Sequence, residues 1–424
     1  MKIQISGSSI SGEVTAPSSK SATHRALILA ALADGENSIR HPLASDDTLA
    51  TLRALKQMGA AHRKLGSTWV IKGGELKEPR GPVHCGESGT TMRLLTAVSA
   101  LVEGDVTLTG GPSLNRRPME PLLSALRMLG VECESNGGLP PMTVHGQGML
   151  KGGTTEIRGD VSSQFVTALL LVAPLAETPL TIKVTTPLES RPYVSMTVDV
   201  MRQFGVEAKV SGDMRTLISP NVPYRVAKVA VEGDWSSAAY PLAMGALSGE
   251  ARVKNLNPAS CQADIEFINV LEDMGADVQI HGSSITTHKS SLKAVERDLS
   301  DCPDLFPIIS TLCTQAQGTS TLRGLSRLRL KESDRVKSMG DGLRDMGAHF
   351  TERGDTVKIR GSRLRGAQVD PQGDHRVAMS LAAAALVAEG PTTIKDAGCV
   401  SKSYPGFWTH LEQLGVTVRK EAYE

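Results

Sequence analysis

The chain has 424 residues and a formal net charge of +1, with 40% hydrophobic and 21% charged residues. That is the composition of a folded chain of two or more domains, and its near-neutral balance excludes the basic excess expected of a nucleic-acid or membrane-surface binder. Aromatic residues are only 3%, too few for base-stacking platforms, and the six cysteines and ten histidines show neither CxxC nor HExxH spacing, so no disulfide framework and no metal site is expected.

The opening run Met1–Gly7 alternates like a strand and lacks the apolar stretch of a signal peptide. No apolar run is long enough to span a bilayer, so a cytoplasmic protein is expected. A short strand at Val14 then leads through a loop ending at Ser19 into a helix, Ala26–Ala33, that is apolar nearly all round. An amphipathic helix follows, Leu52-x-x-Leu55-x-x-Met58, and closes on Gly59. The same succession then returns. All-round apolar helices are predicted over Leu94–Leu101, Val166–Leu175, Ala238–Leu247, Leu305–Cys313 and Val377–Val387. Amphipathic helices end at Gly130, Gly205, Gly275, Gly347 and Gly415, giving a period of about 70 residues.

A helix without a polar face must be buried in its own domain. Gly after the last turn of the other helix suits a left-handed C-cap. Six β-α-β-α-β units predict an α/β fold of two lobes, each of three repeats, with the lobe crossing near Pro220–Pro223.

The starts of the buried helices collect the notable polar residues: Lys20, Ser21 and Arg25; Glu87 to Thr90; Ser162, Ser163 and Gln164; Asp234 to Ser237; Asp304; and Asp374 to Arg376. Ser and Asp there can be simple caps. Capping does not explain Lys20 or Arg376, because a cation at a helix start opposes the macrodipole. An anionic ligand at the free N–H groups would reverse that penalty. Further cations stand in Arg116-Arg117-Pro118, in Lys331-Glu332-Ser333-Asp334-Arg335 and at Lys402. In a neutral chain, cations at equivalent repeat positions predict a receptor for small polyanions.

Taken in order, Pro17-Ser18-Ser19-Lys20-Ser21, Gly89-Thr90-x-Met92-Arg93, Arg117-Pro118, Ser162-Ser163-Gln164, Ser190-Arg191-Pro192-Tyr193, Pro303-Asp304, Lys331 to Arg335, Asp374-His375-Arg376 and Ser401-Lys402 resemble the 5-enolpyruvylshikimate-3-phosphate synthase family over essentially the whole chain. The resemblance implies an inside-out α/β barrel in each lobe. It places the N-terminal lobe at 14–226, the C-terminal lobe at 1–13 with 227–424, and the active site in the cleft between them. It implies transfer of the enolpyruvyl group of phosphoenolpyruvate to shikimate 3-phosphate, with release of phosphate, no cofactor, no nucleic-acid or membrane partner, and a monomer. Shikimate 3-phosphate would be held by Ser21, Arg25, Ser162, Ser163, Ser190, Tyr193 and Lys331, and phosphoenolpyruvate by Gly89, Arg117, Arg335, Arg376 and Lys402. Lys20 and Gln164 would lie between the two, while Asp304 and Glu332 would move protons, with Lys20 completing the catalytic set and Asp304 also facing shikimate 3-phosphate.

Three positions depart from the family's usual pattern. Glu87 replaces Asn and is read as a loop cap instead of a substrate contact. Arg327 replaces a frequent Asn and would add a phosphate contact. Leu94 replaces a frequent Pro, which bears on glyphosate, for which Gly89 would form a pocket wall. The related UDP-N-acetylglucosamine enolpyruvyl transferases normally carry a reactive Cys before the equivalent of Arg117, and Gly110-Gly111-Pro112-Ser113-Leu114 contains none.

Overall fold

A computed structural model describes residues 1–421. The chain forms two compact units: an N-terminal unit, Ser18–Glu232, and a C-terminal unit that joins Met1–Pro17 to Gly233–Glu424. The N-terminal unit contains helices α1 (Lys20–Leu32), α2 (Asp46–Gln57), α3 (Gly89–Ser99), α4 (Glu120–Met128), α5 (Ser163–Val172) and α6 (Arg191–Gln203). The C-terminal unit contains α7 (Trp235–Ser248), α8 (Glu266–Asp273), α9 (Phe306–Thr314), α10 (Arg335–Asp345), α11 (His375–Ala385) and α12 (Phe407–Gln413).

Each repeat builds one four-stranded sheet. In the second repeat Val83–His84 runs parallel to Glu103–Thr109, which pairs antiparallel with Leu139–Gln147, and that strand pairs with Glu132–Asn136. The repeat is therefore the expected unit with one further strand, supplied by a hairpin after the amphipathic helix.

Three sheets borrow a strand from elsewhere in the chain. Lys2–Ile5 completes the last repeat by pairing with Thr392–Ile394 and Val418–Glu421. Ser11–Thr15, which precedes α1, runs parallel to Glu250–Lys254 in the C-terminal unit. Lys228–Ala230, which precedes α7, runs parallel to Gly35–Arg40 in the N-terminal unit. This exchange corrects the expected boundaries at 14 and 226 to Ser18 and Glu232, and it places the crossing after Lys228–Ala230 instead of at Pro220–Pro223. The pairing requirement of each sheet, not the prolines, sets where the chain changes unit.

The odd-numbered helices form the cores. Every residue of α7 is buried, as are the consecutive positions Phe165–Val172 of α5 and all of α9 and α11. The even-numbered helices end as their sequences predict. Gly59, Gly130, Gly205, Gly275, Gly347 and Gly415 all have φ between +79° and +100°. In each case the next residue's N–H reaches the carbonyl five positions back, as in Ala60 to Leu55 at 3.0 Å and Val416 to Leu411 at 3.0 Å.

Ser19, Ser88, Ser162, Asp234 and Asp374 cap five of the buried helices with their side chains. The sixth, α9, begins in the short turn Pro303–Leu305 and has no side-chain cap. The carboxylate of Asp304 is thereby left for other work. Among the described residues, no helix is long and apolar enough to cross a membrane, and no group of His, Cys, Asp and Glu is placed to hold a metal ion.

Candidate functional site

In the N-terminal unit the polar residues expected at helix starts do lie there, held largely by neutral oxygens. Lys20 opens α1, and its ammonium meets the Asp47 carboxylate of α2 at 2.9 Å. A protein anion thus offsets part of the macrodipole penalty that the sequence alone left to a ligand. In sequence Asp47 carries no signal of this role, because Ser45-Asp46-Asp47 reads as an ordinary acidic helix start. Ser21, the next residue of α1, gives its carbonyl to Arg25 Nη1 at 2.9 Å.

Arg25 is almost completely buried. Its Nε donates to Thr197 at 2.8 Å, and its Nη2 donates to Thr167 at 3.3 Å and to the Tyr193 carbonyl at 3.0 Å. One guanidinium thereby ties α1 to α5 and α6. Ser162 caps α5 by accepting from the Gln164 N–H at 3.3 Å, and Ser163 begins that helix. The Gln164 amide is fixed at both ends: Arg93 donates to its oxygen at 2.7 Å, and its nitrogen donates to Thr90 at 2.9 Å. Arg93 also lies over the Phe165 ring at 5.5 Å.

Ser190 precedes α6 with φ 52° and ψ 44° and makes no side-chain cap bond to that helix. A non-glycine residue in this region is strained, which is characteristic of functional sites. Tyr193 lies one turn into α6 and donates its N–H to the Ser190 carbonyl at 3.1 Å. Gly89 is the first residue of α3. A Cβ there would stand 2.7 Å from Arg117 Nη1 and 3.2 Å from Arg93 Nη1, so the missing side chain is what lets two guanidinium groups approach the helix start. Leu94 is buried in the middle of the same helix.

The C-terminal unit is built on the opposite electrostatic plan. Arg335, 1% exposed, begins α10 and is gripped by three carboxylates. Its Nε meets Asp374 at 2.9 Å, its Nη1 meets Asp304 at 2.8 Å, and its Nη2 meets Glu332 at 2.6 Å. Burial opposes its charge, but Asp374, Glu332 and Asp304 outweigh that and raise its pKa. The other oxygen of Asp304 meets Arg376 at 2.9 Å, and Lys331 approaches the first at 3.9 Å. Asp304, Glu332, Lys331, Arg335 and Arg376, expected together from their motifs, are therefore one ion-pair cluster.

Burial lowers the Lys331 pKa to about 8, with Asp304 pulling it up and Arg335 pushing it further down. Lys402 donates to the Gly373 carbonyl at 3.0 Å, beside the Asp374 cap of α11. Arg327 donates to the Ser300 carbonyl at 2.7 Å.

Asp264 is a further acidic residue of this site that no sequence motif marks. It is buried beside this cluster, accepts a short hydrogen bond from Ser236 at the start of α7, and is pushed up to about 6. Burial is the main cause, followed by repulsion from Asp304, with Arg376 opposing. Only its position after Cys261-Gln262-Ala263, ahead of an amphipathic helix, was visible in sequence, and that reads as a cap.

Residues 5–411 match the family model described as EPSP synthase (3-phosphoshikimate 1-carboxyvinyltransferase). A 3-phosphoshikimate 1-carboxyvinyltransferase of Methanocorpusculum labreanum is 46% identical over 425 residues, covering 99% of this chain and 100% of the relative. One of Dehalococcoides mccartyi is 40% identical over 423 residues, covering 99% and 100%. Among solved structures, an EPSP synthase from Acinetobacter baumannii superposes with a TM-score of 0.81 at 29% identity, covering 99% of this chain and 100% of that one. With a repeated fold that matches over its whole length and relatives this similar from end to end, the chain belongs to the EPSP synthase (3-phosphoshikimate 1-carboxyvinyltransferase) family.

Proposed function

We propose that this protein joins phosphoenolpyruvate to the 5-hydroxyl of shikimate 3-phosphate and releases phosphate, by addition followed by elimination. The observation that carries this reading is the cluster in which Asp304 and Glu332 share Arg335 beside Lys331 and Arg376. Two carboxylates among several fixed cations suit a reaction that needs two proton transfers on a pair of polyanions.

In the addition step the hydroxyl oxygen bonds to C2 of phosphoenolpyruvate, Asp304 takes the hydroxyl proton, and Glu332 supplies a proton to C3. In the elimination step C3 returns a proton, the double bond reforms, and the bond from C2 to the phosphate oxygen breaks. The hydroxyl proton leaves in the released phosphate pool. Shikimate 3-phosphate draws on Lys20, Ser21, Arg25, Ser162, Ser163, Gln164, Ser190, Tyr193, Asp304, Arg327 and Lys331. Phosphoenolpyruvate draws on Lys20, Gly89, Arg117, Gln164, Arg335, Arg376 and Lys402. The donor carries its own leaving group, so the reaction as written needs no cofactor. The reading includes a cytoplasmic monomer, for which size-exclusion chromatography with light scattering tests the second part.

The test is phosphate release with both substrates and with each omitted, repeated in deuterium oxide. Turnover should need both, and the product methylene should carry deuterium. Turnover at normal rate without deuterium at that carbon would exclude the addition–elimination course.

A further inference from the structure

We infer that Glu87 is a positioning residue that holds Arg117 in place for phosphoenolpyruvate, an inference that rests on the enolpyruvyl-transfer reading. Glu87 lies in the loop between the strand Val83–His84 and α3. Its carboxylate faces the glycine-rich segment that delivers Arg117. One oxygen accepts from the Ser113 hydroxyl at 2.7 Å and from the Leu114 N–H at 2.9 Å, and the other accepts from the Ser113 N–H at 3.4 Å. The turn Leu114–Arg116 has no cap bond from Ser113, so Glu87 supplies acceptors that the turn itself lacks.

Hydroxyl chemistry carries this contact on to Arg117. Ser113 has a single hydroxyl proton, and with that proton on Glu87 its oxygen can only accept from other partners. Arg117 Nη2 lies 3.5 Å from that oxygen, on the accepting side. Glu87 therefore sets the orientation of Ser113, and Ser113 steadies the guanidinium that stands over the Gly89 start of α3. A neutral amide at position 87 has one accepting oxygen and could not take all three bonds with the same geometry.

Gly111 is the second half of the device. A Cβ at this residue would run into Glu87 Oε1 and stand 2.7 Å from its Cδ and 3.2 Å from its Cγ, so its three nearest neighbours are all Glu87 side-chain atoms. The Gly111 backbone is not in the left-handed region. Glycine at 111 thus leaves the space that the Glu87 carboxylate occupies. Gly111 and Glu87 are two handles on one contact.

The experiment compares wild type, Glu87→Ala, Glu87→Gln, Gly111→Ala and the Glu87→Ala/Gly111→Ala double variant. Readouts are kcat, KM for each substrate, and thermal melting. Glu87→Ala should raise KM for phosphoenolpyruvate about ten-fold, the size of one charge-assisted hydrogen bond, and leave KM for shikimate 3-phosphate and the melting point unchanged. Gly111→Ala should reproduce that effect by displacing the carboxylate, and the double variant should be no worse than either single one. Glu87→Gln should recover part of the loss.

An unchanged or lowered KM for phosphoenolpyruvate in Glu87→Ala would overturn the inference, the second result making the carboxylate a repulsive neighbour. Losses that add in the double variant, or that fall equally on both substrates alongside a lower melting point, would overturn it too. Wild-type turnover is measured first. Its absence overturns the functional reading, and with it the assignment of Arg117, whereas turnover with an unaltered Glu87→Ala overturns the role of Glu87 alone.

Discussion

The two units hold their cations in different ways. In the N-terminal unit Arg25 is buried among hydroxyls and carbonyls of Thr197, Thr167, Ser21 and Tyr193. In the C-terminal unit Arg335 is equally buried but clasped by Asp304, Glu332 and Asp374. Neutral acceptors fix a guanidinium without cancelling its charge, so the first arrangement preserves an attraction for phosphate and carboxylate. Carboxylates cancel much of the charge but bring with them groups able to carry protons. In the proposed reaction the N-terminal unit would then serve to bind anions, and the C-terminal unit to bind them and move protons.

The sharpest way to break that contrast is to remove each guanidinium in turn. Arg335→Ala leaves three carboxylates facing one another, and breaking a buried ion pair in this way typically costs about 3–5 kcal/mol. Denaturant unfolding should show a loss of that order, with phosphate release at background. Arg335→Lys should not restore activity, because one ammonium cannot reproduce three directed contacts. The next largest effect belongs to Glu332→Gln, which should lower kcat by about 10²–10⁴-fold and suppress deuterium entry at the product methylene. Normal deuterium entry in that variant would move the proton donor elsewhere. Arg25→Ala removes hydrogen bonds to the hydroxyls and carbonyls of Thr197, Thr167, Ser21 and Tyr193, so its stability loss should be smaller, about 1–2 kcal/mol, with the defect falling on shikimate 3-phosphate binding. A loss as large as that of Arg335→Ala would erase the distinction between the units.

Two smaller effects appear in pH profiles. Lys331, lowered to about 8 by burial, is charged below that value and neutral above it. Binding of shikimate 3-phosphate to the free enzyme should weaken as pH rises through 8, seen as falling kcat/KM, and Lys331→Arg should flatten the decline. For stability the sign is reversed. The burial penalty on the ammonium is fully present below about 8 and is relieved as pH climbs toward the unfolded value near 10.5.

Asp264, raised to about 6 from 3.8, is penalised when ionised. That penalty is absent at pH below the unfolded value and grows as pH rises toward 6. Asp264→Asn should therefore gain roughly 1–3 kcal/mol relative to wild type at pH 8 compared with pH 4, read from paired unfolding curves. No difference between the two pH values would mean that the carboxyl is not held in its neutral form.

Much of this molecule was legible before any coordinates. The alternation of all-round apolar and one-faced helices determined two helices per repeat and which of them is buried, because a helix with no polar face has nowhere else to go. Gly after each amphipathic helix determined where that helix stops, because the left-handed cap residue favours glycine. The cations at helix starts stood out in sequence as candidate anion-binding positions, since the macrodipole disfavours a Lys or Arg there.

Tertiary structure decided the rest. Ser11–Thr15 and Lys228–Ala230 look like the first strands of their own repeats, and only pairing with Glu250–Lys254 and Gly35–Arg40 shows that they are exchanged. Strand partners are chosen by sheet edges far away in sequence, which local pattern does not record. Asp47 and Asp264 look like caps, and only their neighbours make one the partner of Lys20 and the other a strained acid beside Asp304 and Arg376. A carboxylate's role is set by burial and by the charges packed around it, and both are properties of the folded chain.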